Sequence, residues 1–451
     1  MFLSVRRNVE RALQGDGLRA FLIRGFLGSG ALKVANAILA LGVAIVLARA
    51  LGPEGYGTYA FALSLTSLLA IPAQVGLPTL LVRQVARYQL REEWGLLRGL
   101  LSRANNTALV LSIVLAIGAA LVAWLTVDDS YDEKIETLAW AFLMVPLVAL
   151  GNLRGATLRG LRKVVQGQLP EMLLRPAVLL LLAGGVFLLS GKELSPPNAM
   201  MFNVLAAAIA FVIGIILLLR ALPAQVRAAT PDYETMAWIR SVLPLSFIAG
   251  MQVINREADI VMLGLLAGNE DVGIYRVAVQ GAMLVSFTLT AINLVISPQI
   301  TRLYQSGDLE RLQLMVTWST RVVLATALPV AVMLGLFGKP ILTFMFGESY
   351  ADGHLALAIL CFGQVVNVAM GSVINLLNMT GHEQETAKGV LVAAVSNILL
   401  NFALIPLFGI EGAASATAIS LIMWNVLLHR QVAKKVGINS SAIPLALSKR
   451  K

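Results

Sequence analysis

Five consecutive residues, Asn255-Arg256-Glu257-Ala258-Asp259, set three charges in the middle of an apolar stretch. A charge near the centre of a bilayer costs at least ~2.5–3.5 kcal/mol on insertion scales, so such residues face water or pair with each other. Arg256 and Asp259 are three apart and share a helix face, while Glu257 projects elsewhere. One arginine cannot neutralise both acids locally. The spacing predicts that Arg256 keeps Asp259 ionised and that Glu257 lacks a local partner. An unpaired carboxylate in a dry site takes up a proton. Glu257 and Asp259 are therefore the candidate coupling residues for H+ or Na+, Glu257 first. Anchoring of neighbouring helices is the alternative role for both.

Lys33, Arg175, Arg276 and Arg321 also fall inside apolar stretches, and Glu171 precedes Arg175 by four residues. That spacing allows a local pair on one helix face, and Arg321 is close enough to a span end to snorkel. Even so, cations outnumber acids in these stretches. A cavity lined by Lys33, Arg175, Arg256, Arg276 and Arg321 would attract an anion, and the planar fork of Arg suits phosphate oxygens. Polar residues such as Asn36, Gln74, Asn152 and Gln280 either line the same space or bond helix to helix.

The elements that carry these residues are apolar helices. The hydrophobic share is 58% and the charged share 13%, too little charge to cover a soluble surface of this size. Residues 55–82 and 104–127 contain no Asp, Glu, Lys or Arg, and about 18 apolar residues suffice to cross a bilayer. Twelve spans are expected, over roughly 26–48, 57–81, 104–126, 137–157, 172–190, 199–219, 241–266, 273–296, 314–336, 354–377, 389–408 and 412–429. With a cytoplasmic N-terminus, twenty-six of the 35 Lys and Arg lie in cytoplasmic segments and three in outer loops. That asymmetry sets the orientation and accounts for most of the +10 net charge, so nucleic acid is not an expected partner.

A five-point pattern occurs twice. Gly52, Glu54, Gly57, Tyr59 and Ala62 recur as Gly268, Glu270, Gly273, Tyr275 and Ala278, 216 residues on. Parallel halves flanking a central site are a common transporter plan. The expected organisation is an amphipathic basic segment (1–24), an N-terminal lobe (25–222), a cytoplasmic linker (223–240), a C-terminal lobe (241–432) and a basic cytoplasmic tail (433–451). Residues 1–24 would lie on the inner leaflet, against anionic lipid headgroups.

Enzyme signatures are absent. Gly185 to Lys192 has the wrong spacing for a phosphate loop, and Glu193 stands where Ser or Thr would hold magnesium. No ATP-driven step, metal or resident cofactor is expected. The single cysteine, Cys361, excludes a disulfide framework. Ala48-Arg49-Ala50 mimics a cleavage site, but the long basic stretch before it argues against a cleaved signal.

Leu47 through Tyr59, with its Gly52-Pro53-Glu54-Gly55-Tyr56-Gly57 centre, resembles the first hairpin of the polysaccharide-transporter family. Asp259 to Gly264 with Val272 to Tyr275, and Gly412 to Thr417, resemble its later segments. These are the O-antigen and exopolysaccharide flippases of the multidrug/oligosaccharidyl-lipid/polysaccharide exporter superfamily. The resemblance implies an all-α, polytopic fold of about twelve helices in two pseudo-symmetric bundles of six, working by alternating access. It implies a polyprenyl-pyrophosphate-linked oligosaccharide as cargo, carried outward across a bacterial inner membrane. A polysaccharide polymerase and a chain-length regulator are the protein partners it suggests. An ion-coupled small-molecule antiporter of the same superfamily and a non-transporting scaffold of a polysaccharide assembly complex are the alternatives.

Overall fold

The computed structural model describes residues 18–126, 132–190 and 194–442. Most of the proposed amphipathic segment, the acidic outer loop before Asp132, residues 191–193 and the last nine residues lie outside them. Every regular element among the described residues is helical.

The helices are α1 (Leu18–Gln74), α2 (Leu77–Arg91), α3 (Trp94–Thr126), α4 (Asp132–Gly160), α5 (Val164–Leu169), α6 (Arg175–Ser190), α7 (Pro196–Ala221) and α8 (Ala224–Ala228) in the first half. The second half holds α9 (Thr235–Leu266), α10 (Asn269–Gln305), α11 (Leu309–Leu336), α12 (Gly338–Phe346), α13 (His354–Met370), α14 (Val373–Met379) and α15 (Glu383–Lys435). Among the described residues, nine stretches are long and apolar enough to cross a membrane. Two of them bend back on themselves, α1 at Gly52 and α15 at Gly409. With α9 they make twelve crossing segments among the described residues.

Each bend has a local cause. Gly52 takes φ +65°, a left-handed backbone that disfavours a side chain. Pro53 then opens the next arm, where its missing N–H is not needed. At Gly409 φ is +52°, and Pro406 precedes it. The second span is shorter than the apolar run suggests. It stops at Gln74, and Leu77–Arg91 forms a separate amphipathic helix with Leu80, Leu81, Val85 and Tyr88 buried on one face. Between α5 and α6 the chain makes one π turn at Pro170–Leu174. The outer surface is apolar: Leu188 and Leu189 on α6, Trp318 on α11 and a stripe on α3 from Val110 to Leu125 are exposed, as lipid contact requires.

Both copies of the repeated pattern lie at the heart of the largest buried cluster. Tyr56, Tyr59, Ala60 and Ala62 from one and Tyr275, Val277 and Ala278 from the other belong to it. The two copies also touch reciprocally. A methyl added to Gly57 would fall 1.6 Å from the Asn269 carbonyl oxygen, and one added to Gly273 would fall 2.0 Å from that of Pro53. Pro53 and Asn269 are themselves repeat equivalents, so the contact is self-complementary in the manner of a two-fold axis. The same end of the molecule is fastened further. Tyr350 Oη donates to the Ala48 carbonyl at 2.9 Å, and Arg49 donates to the carbonyls of Met345 and Phe344.

The segment expected to be a basic cytoplasmic tail folds back over its described part. Residues after α15 turn back into the second half, with Val436, Ile438, Ser440, Ser441 and Ala442 buried. Thr320 donates to the Ser440 carbonyl, Ala442 N–H to Ala369, and Gln313 bonds Asn439 through both its amide atoms. The expected linker is likewise folded down. Asp232 packs on Gly95 and Gly99, and Trp238 Nε1 donates to Tyr88 Oη at 2.9 Å.

Candidate functional site

Two Arg–Glu–Arg triads, one from each half, organise the buried charge. In the first, Glu171 lies in the π turn. Its Oε1 accepts from Arg154 Nη2 at 3.1 Å, and its Oε2 lies 3.9 Å from Arg175 Nη1. Arg154 is held by the scaffold: only 3% of its side chain is exposed, and it also donates to the Ala210 and Phe211 carbonyls. Two glycines make the room. A methyl at Gly214 would sit 2.1 Å from the Arg154 guanidinium carbon, and one at Gly151 would sit 2.8 Å from Glu171 Oε1. Arg175 continues the chain, donating to Asn203 Oδ1 at 3.1 Å, and Asn203 donates to Tyr59 Oη at 2.8 Å.

In the second triad the carboxylate is Glu257. Arg256 Nε donates to its Oε1 at 2.9 Å, and Arg276 Nη1 lies 3.5 Å from its Oε2. Ser64, from the first half, adds a 2.9 Å bond to Oε2. Glu257 is thus a buried, doubly paired carboxylate, contrary to the expectation that it lacks a partner. Arg256 turns to its sequence neighbour because Asp259 is engaged elsewhere. Tyr275 Oη donates to Asp259 Oδ2 at 2.7 Å and Thr417 Oγ1 donates to the same oxygen at 2.9 Å. Asp259 is 4% exposed, has no cation beside it among the described residues, and its Oδ1 has no donor. The expected roles of the two acids are exchanged. Next to Thr417, Asn401 donates to Asn397, and the Asn401 side-chain oxygen also has no donor.

Each triad carries one net positive charge, and their free arms meet. Arg175 and Arg276 line the same cavity of about 250 Å³, together with Glu171, Asn36, Tyr56, Tyr59, Asn203 and Gln280. This brings together two of the five cations expected to bind an anion. Arg256 instead lines a second cavity of about 280 Å³, with Gln74, Asn152 and Arg159. Lys33 is half-buried and lines neither. Arg321 is exposed and donates to the Ala442 carbonyl at 3.3 Å, so it holds the returning chain end rather than the cavity.

The scaffold residues were the harder ones to find by sequence. Arg154 falls near the end of the expected fourth span, and its partner Glu171 is seventeen residues away. Asn397 and Asn401 share a helix face at a four-residue spacing, which was a usable signal. Asn203 and Thr417 carry no local signal.

Residues 22–304 match the family model described as polysaccharide biosynthesis protein. The chain belongs to that family. A second family model, MatE, matches residues 244–407. The probable flippase AglR of Haloferax volcanii is 30% identical over 181 residues, covering 40% of this chain and 38% of that protein. The matches to the first curated relatives span about two-fifths of their length, at 38%, 44% and 36%. The lipid II flippase MurJ of Bacillus subtilis is 22% identical over 447 residues, 88% of this chain and 80% of its own. Among solved structures, lipid II flippase MurJ in an inward closed conformation superposes with a TM-score of 0.72 at 14% identity, covering 90% of this chain and 87% of that one. The family member described here therefore shares their fold, a polytopic bundle of membrane-crossing helices.

Proposed function

We propose that this protein is a flippase that carries a polyprenyl-pyrophosphate-linked oligosaccharide from the cytoplasmic to the outer leaflet of a bacterial inner membrane, for O-antigen or exopolysaccharide synthesis. The observation that carries the reading is the pairing of Arg175 and Arg276 in one cavity, each backed by a triad with a net charge of +1. A pyrophosphate esterified at both ends holds two negative charges, one per phosphorus. Two arginines from opposite halves match it in number, and the bidentate fork of Arg matches its oxygens. With two arginines against the one carboxylate of Glu171, the lining favours an anion over an organic cation. AglR and MurJ, named as flippases, support the same reading.

The two halves act as lobes in this scheme. In this reading their contact at Gly57 and Gly273 closes the outer end and both termini lie in the cytoplasm, as the distribution of Lys and Arg supports. Pyrophosphate binding would draw Arg175 and Arg276 toward one ligand and couple the lobes to the cargo. Asp259 is the better candidate for coupling to H+ or Na+, because it is a buried carboxylate with a free oxygen and no cationic partner among the described residues. Glu257 serves instead as the shared counter-charge of Arg256 and Arg276. A polymerase and a chain-length regulator outside the membrane are the partners this role calls for.

The test is binding by the purified protein. An isoprenyl-pyrophosphate disaccharide should bind more tightly than the same disaccharide on an uncharged isoprenyl ether, and Arg276→Gln should erase most of the difference. Equal affinity for the two lipids in the wild type would refute the reading.

A further inference from the structure

The second cavity shares α1 with the first but draws its polar walls from other residues. Gln74 and Thr79 come from the end of α1 and the start of α2, Asn152 and Arg159 from α4, and Arg256 from α9. Its lining includes two arginines and no acid. Asn152 Nδ2 donates to Gln74 Oε1 at 3.2 Å, which leaves the Gln74 amide hydrogens and the Asn152 carbonyl oxygen free to meet hydroxyl groups. The two cavities are joined through one side chain: Glu257 holds Arg256 of the second cavity and Arg276 of the first on its two oxygens.

Arg159 is the odd member. Arg154, one helical turn and a half earlier, is held through its two terminal nitrogens by Glu171 and two carbonyls. Arg159 has neither an ion pair nor a hydrogen bond among the described residues, although it is half-buried. Glycines at 155 and 167 leave it space: methyls there would fall 3.5 Å from its Nη1 and 3.3 Å from its Cγ. A guanidinium that faces a cavity without an acid beside it is available to an anion that enters the cavity.

We infer that the second cavity seats the sugars next to the pyrophosphate and selects a glycan that carries a carboxylate, with Arg159 as the selecting residue. The inference rests on the flippase reading. Amides that pair with hydroxyls recognise any hexose, whereas the free guanidinium distinguishes a uronic acid from a neutral sugar. Of the two arginines on this lining, Arg159 is the one with no carboxylate partner among the described residues.

The experiment uses the full chain in nanodiscs and four synthetic lipids. Three are isoprenyl-pyrophosphate disaccharides: a diglucosyl lipid, one with glucuronic acid in the first position and one with it in the second. The fourth is the diglucosyl lipid without pyrophosphate. At least one glucuronosyl lipid should bind about tenfold more tightly than the diglucosyl pyrophosphate lipid, as one charge-assisted hydrogen bond provides. Arg159→Gln should bring the glucuronosyl-to-diglucosyl affinity ratio down to about one, and Arg159→Lys should keep part of the preference. Arg276→Gln should weaken all three pyrophosphate lipids alike. Equal wild-type affinity for the three would overturn the inference while the pyrophosphate reading stands, and it needs no variant to fold. No advantage of the pyrophosphate lipids over the fourth would overturn both.

Discussion

Gly57→Ala should open the sealed end of the molecule. The new Cβ would lie 1.6 Å from the Asn269 carbonyl oxygen, against 3.4 Å for ordinary contact. The backbone must therefore withdraw by about 1.8 Å, since the obstacle is a carbonyl of another helix and not a flexible side chain. Overpacking of this kind costs about 1–3 kcal/mol. The clash exists only while the two copies of the motif touch, so the cost falls on the closed state alone. The closed-to-open ratio should drop by about five- to 160-fold at 25 °C. Cysteines at the exposed Glu54 and Glu270, in a Cys361→Ala background, would take spin labels for pulsed distance measurement. Wild type should give one short distance, and Gly57→Ala a second, longer population. Gly273→Ala should do the same, because its clash with Pro53 is the reciprocal one. Gly268→Ala is the control: it belongs to the same motif but has an extended φ of 166° and nothing within 4 Å. Identical distributions for Gly57→Ala, Gly273→Ala and Gly268→Ala would refute the reasoning.

Gly214→Ala should unseat Arg154 and strip Glu171 of its better partner, lowering stability by about 3–5 kcal/mol as for a broken buried pair; thermal unfolding in detergent should show it, with Gly184→Ala, which meets nothing within 4 Å, unchanged. Asp259→Asn should abolish the dependence of transport on an H+ or Na+ gradient while lipid binding persists, and intact gradient dependence would remove Asp259 from the coupling role. Glu257→Gln should act differently, leaving Arg256 and Arg276 without their shared counter-charge and slowing release of the pyrophosphate lipid, measured by dissociation kinetics. Ile438→Ala should cost about 2–5 kcal/mol, because the returning chain end is part of the core of the second half and not a free tail.

Much of this protein can be read from its residues. Apolar length and the Lys/Arg distribution give twelve crossings, and the 216-residue repeat marks the two places where the halves meet. What the repeat could not tell is that its glycines face each other. A conserved-looking spacing records a backbone requirement without naming the partner that imposes it. The cations in the apolar stretches pointed to an anion site, and Arg175 and Arg276 do share one cavity. The assignment of the two acids failed for a physical reason. Helix-face geometry ranks partners three or four residues apart, but Arg256 is long enough to reach its own neighbour, and Asp259 finds hydroxyls on Tyr275 and Thr417, sixteen and 158 residues away. Arg321 and the chain end could not be linked by any local rule, since 121 residues separate Arg321 from Ala442.

Transport by reconstituted protein tests the central claim most directly. Proteoliposomes would carry a fluorescent polyprenyl-pyrophosphate oligosaccharide, with its movement between leaflets followed by a membrane-impermeant quencher. Wild type should expose the inner-leaflet pool, each of Arg175→Gln and Arg276→Gln should slow that step, and the double variant should reduce it to the protein-free rate while still inserting and folding. A double variant that moves the lipid at the wild-type rate would contradict the claim that these two arginines hold the pyrophosphate.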